Sequence, residues 1–232
     1  MLLLAFESSA KAASAALLRD GSLFGEYFQR SGQTHSRTLL KMADDLLNNC
    51  DLSADDLDAV AVAAGPGSFT GLRIGIAAAK GIAWGRELPC VGVSTTEAMA
   101  RGAYVQDGVI AAVMDARREQ VYCGIFDVTD GAMTRLAEDR AISVEQLGEE
   151  LKKLKKTKFL VGDGASLCYN TLQKKRDLLL LPEHLRDQRA AGVALCAWDV
   201  LQTGERPSAA ALKPNYIRLS QAERERANKL KK

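Results

Sequence analysis

The chain has 232 residues, of which 47% are hydrophobic and 26% charged, and its formal net charge is +2. This composition is enough for a sizeable core and favours two small domains over one large one. The halves differ in charge: residues 1–116 carry 9 Lys/Arg against 13 Asp/Glu, and residues 117–232 carry 22 against 16. A polyanionic partner is therefore expected at the second half.

Cysteine spacing and hydropathy argue against several classes of protein. The five cysteines are widely spread and form no C-x-x-C pair, which argues against a disulfide framework and a zinc ribbon. The opening MLLLAF is followed by Glu7, and no apolar run approaches the roughly 20 residues that span a bilayer. We therefore expect a cytoplasmic, soluble protein with no membrane partner.

The first half reads as strand, strand, strand, helix, strand, helix, strand, helix. The runs LLLAFESS, ASAALLRDG and LFGEYFQRS predict an antiparallel meander. The next helix, over 37–50, has an apolar arc of about 160°, wider than the stripe of an ordinary surface helix. LDAVAVAAG and PCVGVST predict buried strands, and Ser94 with Glu97 predicts a capping box that opens the following helix.

The second half restarts this pattern. GVIAAVMDA and QVYCGIFDV predict two strands joined at RRE, followed by a helix in SVEQLGEELKKL, a strand in KFLVGDG and a helix in AAGVALCAWDVLQTG. The restart predicts a duplicated topology with a linker at 105–108. We expect domains at 1–106 and 107–232, with the charged end AERERANKLKK fraying.

A glycine-rich loop precedes the second helix, in AAGPGSFTGLRIGIAAAKGIAWG, residues 63–85. It is not a Walker A loop, because Gly71 is followed by Leu72 and Arg73 rather than Lys-Ser or Lys-Thr. A dinucleotide fingerprint fails at its third glycine, where Thr70 stands. The pattern favours close packing of the helix, with an anion contact at its N-terminus as the alternative.

This second helix has two apolar faces and therefore needs two partners. One face holds Leu72, Ile76, Ala79 and Ala83, and the other Ile74, Ala78 and Ile82. The sheet of its own domain covers one face; the helix over 37–50, another subunit, or both cover the second. Two series of small residues let a backbone approach closely: Gly71, Gly75 and Ala79, and Ala77, Gly81 and Gly85.

Other candidate chemistry is sparse. His35 and His184 lie far apart, neither has a second histidine at helical spacing, and both are expected at the surface or at a helix cap. The first turn, in FESSAKAAS, is either a site for phosphate or magnesium or an ordinary turn. MDARREQVY predicts a salt-linked hairpin tip rather than a catalytic group.

Four segments together carry a resemblance to a known family: AGPGSFTGLRIGIAAAKGIAWG, CVGVST, MDARREQVY and KPNYIRL. They resemble the TsaB (YeaZ) family, the partner subunit in making threonylcarbamoyladenosine beside the anticodon of tRNA. The resemblance extends to about residue 218. It implies an α/β, actin-like and sugar-kinase-like (ASKHA) fold of two related domains, each with a mixed sheet flanked by helices.

The resemblance also implies partners. The catalytic subunit TsaD is expected to bind the metal and threonylcarbamoyl-adenylate, and a small ATPase, TsaE, to complete the assembly. The helices over 37–50 and 71–84 are expected to dock on TsaD, and the same surface to pair two copies when TsaD is absent. The expected contact residues are Leu39, Leu40, Ala43, Leu47, Leu72, Gly75, Ile76, Ala79 and Ala83.

No catalytic, cofactor-binding or metal-binding residue is assigned, and no cofactor is expected. TsaD carries an H-x-x-x-H metal pair, whereas here His35 is followed four residues later by Leu39. The family's aspartate-threonine at the first turn is here Glu7 and Ser8. The preferred hypothesis is a non-catalytic scaffold and activator for threonylcarbamoyl transfer to N6 of the adenosine.

Three alternatives remain. One is a self-sufficient actin-fold ATPase or phosphotransferase that uses Glu7, Ser8 and the glycine loop. Another is a peptidase, which the missing G-x-S-x-G elbow and the unpaired histidines disfavour. The third is direct tRNA contact by the basic second half, through Lys152, Lys153, Lys155 and Lys156, which otherwise form a solvated face.

Overall fold

A computed structural model describes residues 1–103, 107–172 and 177–218. The proposed domain boundary at 106, residues 105 and 106 of the linker, and the charged end of the chain lie outside these ranges.

The first sheet combines a meander with two parallel strands. Its order is β3-β2-β1-β4-β5, in which β1, β2 and β3 pair antiparallel and β4 and β5 extend β1 in parallel. All residues of β1 and β4 are buried, as their unbroken apolar runs predict. The strands are β1 (Leu2–Glu7), β2 (Ala13–Arg19), β3 (Ser22–Gln29), β4 (Ala59–Gly65) and β5 (Cys90–Ser94).

The second sheet repeats this topology. Its order is β10-β9-β6-β7-β8, again with three antiparallel strands and two that extend the first of them in parallel. The duplicated topology is what the restart of the sequence pattern predicts. The strands are β6 (Gly108–Asp115), β7 (Gln120–Thr129), β8 (Ala132–Ser143), β9 (Lys158–Val161) and β10 (Leu178–Leu180).

In the described part of the chain, six α-helices cover the faces of the sheets. On the first sheet, α1 and α2 share one face and contact each other, while α6 covers the opposite face. On the second sheet, α4 and α5 share one face, and α3 packs on the other. The helices are α1 (His35–Asn48), α2 (Phe69–Trp84), α3 (Thr95–Gly102), α4 (Val144–Lys152), α5 (Ala165–Thr171) and α6 (Ala190–Gln202).

The packing of the last helix, α6, does not follow the proposed domain division at residue 106. α6 belongs to the second predicted range, yet its buried side chains pack on β1, β2, β4 and β5 of the first sheet. The chain then follows the first sheet, where Cys90 donates its backbone N–H to Pro207 and Asn215 donates to Ala64. The physical reason is burial: without α6 the second face of the first sheet is exposed to water.

Candidate partner-binding surface

The glycine-rich loop is filled by the turn that joins β1 to β2. Ser68 donates its backbone N–H to the carbonyl of Ser9 at 2.7 Å, and its side chain caps α2 by accepting the N–H of Gly71. Ser8 donates its hydroxyl hydrogen to the carbonyl of Gly71 at 2.9 Å. The loop therefore holds the chain's own first turn, which agrees with the packing interpretation.

The close approach of the β1–β2 connection leaves no room for a Cβ atom at this contact, so glycine is required. A Cβ atom at Gly67 would lie 2.7 Å from Ser9, and one at Gly71 would lie 2.0 Å from the backbone oxygen of Ser8. One at Gly75 would lie 2.4 Å from the Ser8 hydroxyl. Gly71 and Gly75, the first two members of the first series of small residues in α2, thus serve contact with the β1–β2 connection of the same chain.

Glu7 lies buried at the end of β1, where the two sheets approach each other. Ser9 donates its backbone N–H to Oε1 of Glu7 at 2.6 Å, whereas Oε2 has no partner within the described residues. Burial, together with the nearby carboxylate of Asp163, raises the pKa of Glu7 to about 7. Burial also raises the pKa of Asp163, which accepts a hydrogen bond from Gln188 at 2.9 Å.

The remaining candidate groups show structural contacts. His35 donates from Nε2 to the carbonyl of Ala10 at 2.7 Å and so ties α1 to the first turn. Burial raises the pKa of Cys90 and Cys123 to about 11, far from thiolate chemistry at neutral pH. Within the described ranges, no three His, Cys, Asp or Glu side chains group so that they could hold a metal ion.

Eight of the nine expected contact residues lie in the chain's own core. α1 and α2 lie side by side on one sheet face, so each helix buries its apolar arc against the sheet and the neighbouring helix. This corrects the expectation that these side chains face a partner. The buried residues are Leu39, Ala43, Leu47, Leu72, Gly75, Ile76, Ala79 and Ala83.

The ninth residue, Leu40, is 53% exposed and belongs to a different set of side chains. On α2 the exposed residues Ala77, Gly81 and Trp84 recur at helical spacing, and Trp84 is 67% exposed. Nothing lies within 4 Å of a Cβ placed at Gly81. We call Leu40, Ala77, Gly81 and Trp84 the α1–α2 surface. Sequence periodicity could not separate them from the buried face, because α2 is apolar nearly all round.

The lysine run, which we define as Lys152, Lys153, Lys155 and Lys156, is partly neutralised by carboxylates. Lys152 pairs with Glu149, and Lys156 pairs with Asp127 at 3.0 Å and with Asp107 at 3.4 Å. Only Lys153 and Lys155 of the four have no salt bridge within the described ranges. Among the helices of those ranges, none has the length and apolar character to cross a membrane.

Comparison with known proteins agrees with this fold. A family model described as "TsaD: tRNA N6-adenosine threonylcarbamoyltransferase" matches residues 29–226. The chain is 31% identical to the tRNA threonylcarbamoyladenosine biosynthesis protein TsaB of Bacillus subtilis, covering 96% of both chains. It is 32% identical to TsaB of Escherichia coli, covering 94% of this chain and 95% of that one.

The chain belongs to the TsaB (YeaZ) family. The solved structure of YeaZ from Pseudomonas aeruginosa superposes with a TM-score of 0.77 at 28% identity, covering 93% of this chain and 99% of that one. The predicted α/β fold, with two mixed sheets flanked by helices, is confirmed. Within this TsaB fold, the α1–α2 surface is the candidate site of partner contact.

Proposed function

We propose that the chain takes part in the biosynthesis of threonylcarbamoyladenosine in tRNA, as a non-catalytic subunit that binds TsaD and holds it in a competent state. TsaE is the further component of this assembly, and the tRNA is reached through the complex. The names of the TsaB relatives from two bacteria support the process. Because all five cysteines are free thiols, we propose the cytoplasm as its compartment.

The α1–α2 surface carries this proposal. Two large apolar side chains, Leu40 and Trp84, are more than half exposed on helices that contact each other. Between successive turns of α2, Ala77 and Gly81 leave the backbone open to close approach by another chain. Exposed apolar area of this kind favours burial against a second protein.

The filled glycine loop favours a binding subunit over an independent nucleotide enzyme. Backbone N–H groups at the start of α2 would have to face a phosphate in such an enzyme. Here the Ser68 N–H and the Gly71 N–H are already bonded, to Ser9 and to the Ser68 side chain. We therefore assign TsaD the chemistry and the metal.

The experiment is reconstitution of threonylcarbamoyl transfer with TsaD, TsaE, tRNA and threonylcarbamoyl-adenylate. Leu40→Arg and Ala77→Arg place a charge on the α1–α2 surface, and Gln202→Arg places the same charge on exposed α6 as a matched control. We expect the first two variants to lose co-elution with TsaD and product formation, and the control to keep both. Normal co-elution of the first two variants would contradict the proposal.

Size-exclusion chromatography of the isolated chain tests the second use of this surface. We propose that two copies pair through the α1–α2 surface when TsaD is absent. The wild type should then elute as a dimer, and addition of TsaD should replace it by the mixed complex. An Ala77→Arg variant that still forms the dimer would place self-association elsewhere.

A further inference from the structure

A row of arginines and aromatic rings links the start of α2 to the tip between β6 and β7 through Tyr216 and Arg218. It begins in the first turn of α2, where Phe69 and Tyr216 stack with ring centroids 3.9 Å apart and planes 6° from parallel. Arg73 donates from Nε to the Tyr216 hydroxyl at 2.9 Å, and its guanidinium carbon lies 5.4 Å from the Phe69 centroid. The rings hold the guanidinium in place at the surface.

The row continues into the second sheet. Two residues after Tyr216, Arg218 donates from Nη1 to the carbonyl of Ala116 at 3.0 Å, and its guanidinium carbon lies 5.7 Å from the Tyr122 centroid. Ala116 leads directly into Arg117 and Arg118, which are exposed at the tip between β6 and β7. We call Arg73, Arg218, Arg117 and Arg118 the arginine row.

The tip is held by backbone contacts rather than by the predicted salt links. Arg117 donates its backbone N–H to the carboxylate oxygen Oδ1 of Asp115 at 2.7 Å, and Gln120 donates its backbone N–H to the Arg117 carbonyl at 3.2 Å. Arg117, Arg118 and Glu119 all have positive φ values, of 63°, 55° and 57°. The side chain of Asp115 therefore helps to hold the tip, whereas within the described ranges no hydrogen bond or salt bridge uses the side chains of Arg117 and Arg118.

The charge of the row is not neutralised. Within the ranges that the structure describes, none of its four arginines forms a salt bridge. Among the described residues, Asp115 and Glu119 flank the two tip arginines in the sequence and the buried Asp163 lies near Asp115, so the row carries four cations against three carboxylates. The lysine run differs, since Lys152 and Lys156 are paired with carboxylates.

Guanidinium groups beside aromatic faces match single-stranded nucleic acid. The planar fork of arginine binds phosphate oxygens in pairs, and rings held at a surface offer stacking to unpaired bases. Half-buried Phe69, Tyr216 and Tyr122 lie among the four cations. An acidic protein segment would contact only the cations, whereas RNA bases could also contact the exposed parts of the rings that hold them, so we favour RNA.

We propose that the arginine row binds the backbone of a single-stranded RNA loop, which under the proposed function is the anticodon loop of the substrate tRNA. The row, not the lysine run, is then the direct RNA contact of this chain. This proposal rests on the proposed function for the identity of the RNA. Its test uses the isolated chain, so its failure leaves the contact with TsaD untouched.

The test is filter binding of an anticodon stem-loop RNA to the full chain over a salt series. The variant is Arg117→Gln with Arg118→Gln, and the matched control is Lys153→Gln with Lys155→Gln, which removes the same charge from two exposed residues of the same half. Two lost phosphate contacts lower the salt slope by about 1.4, which is about 25-fold in affinity at 0.1 M salt. We expect this loss for the arginine pair and unchanged binding for the lysine pair.

Three results would overturn the proposal. The first is equal binding by the arginine variant and the wild type, with thermal unfolding showing that both are folded. The second is an equal loss from the lysine pair, which would indicate general charge attraction. The third is competition by poly-glutamate as strong as by unlabelled stem-loop at equal charge, which would assign the row to an acidic protein. Arg218→Gln, which releases the bond to Ala116, should give a smaller loss than the pair.

Discussion

Ser8 bonds through its hydroxyl to the carbonyl oxygen of Gly71, 63 residues later, at 2.9 Å. This bond joins the first turn of the chain to the first turn of α2. It occupies the space in which a phosphate-binding loop would hold its ligand. The same contact explains why α2 begins with glycines although glycine weakens a helix.

We expect Gly71→Ala to destabilise the protein and Gly81→Ala to stabilise it. The new methyl group at Gly71 would lie 2.0 Å from the Ser8 carbonyl oxygen, whereas the one at Gly81 meets open space. Overpacking of this kind costs roughly 1–3 kcal/mol. An exposed helical glycine replaced by alanine gains about 1 kcal/mol. Urea unfolding of the isolated chain measures both, and a shift of the same sign in both variants would refute the packing account.

A second pair of variants separates the core of α2 from its surface. Ala79 is fully buried against the first sheet, whereas Ala77, two residues earlier, is exposed. Ala79→Arg buries a charge without a partner and should cost roughly 3–5 kcal/mol of the free energy of unfolding. Ala77→Arg should stay within about 0.5 kcal/mol of the wild type at concentrations where both chains are monomeric. Thermal and urea unfolding provide the comparison, and similar losses in both would place Ala77 in the core.

Glu7 should make stability fall as pH rises. Its pKa is about 7 in the folded state, against an ordinary value of 4.5 for an exposed glutamate, because burial disfavours the carboxylate. The folded chain therefore binds the proton more tightly than the unfolded chain between these values. The favourable contribution is complete below about pH 4.5 and is lost as pH rises through about 7, a change of about 3 kcal/mol.

Glu7→Gln should remove this dependence, since the amide stays neutral and its oxygen can still accept the Ser9 N–H. We expect the variant to gain stability relative to the wild type at pH 8 and to gain little at pH 5. Unfolding in urea at the two pH values measures the difference. Glu87→Gln, at an exposed glutamate, is the control. A constant difference between wild type and Glu7→Gln across pH would show that Glu7 does not titrate in this range.

The sequence predicts most elements of the fold, but β8 is missing from that prediction for a physical reason. Its half-buried positions include Arg135 and Asp139, so the alternation of apolar and polar residues is broken. The structure places these charges against α3: Arg135 bonds Glu97 at 2.7 Å, and Asp139 accepts from Ser94 at 2.6 Å. A charged side chain whose partner lies on a distant element leaves no periodic signal in the local sequence.

The sequence could not locate the candidate site for the same reason, because the contacts that decide it join distant parts of the chain. The arcs on α1 and α2 reveal how much apolar surface must be buried, but not which chain buries it. α1 and α2 cover each other's flanks, and the turn at Ser8 covers the glycines of α2. The arginine row joins Arg73 to Tyr216, 143 residues apart, and only the folded chain brings them together.

The position of α6 gives the last prediction, which concerns the domain boundary. The end of α3 and the start of α6 touch, since a Cβ at Gly102 would lie 3.8 Å from the Cα of Gly192. A short Gly/Ser linker in place of residues 104–189 can therefore join the two helices and delete the second sheet. This shortened chain keeps both faces of the first sheet covered, because α6 remains on the face opposite α1 and α2.

We expect the shortened chain to unfold cooperatively in urea, and residues 1–103 alone to show no cooperative transition. The fragment lacks α6 and so leaves the apolar face formed by Leu3, Ala5 and Ala61 in water. Val193→Asp, which places a charge at a buried position of α6, should abolish the transition of the shortened chain. A cooperative transition of 1–103 at the same midpoint would show that the first 103 residues fold as a complete domain, as the boundary at 106 requires.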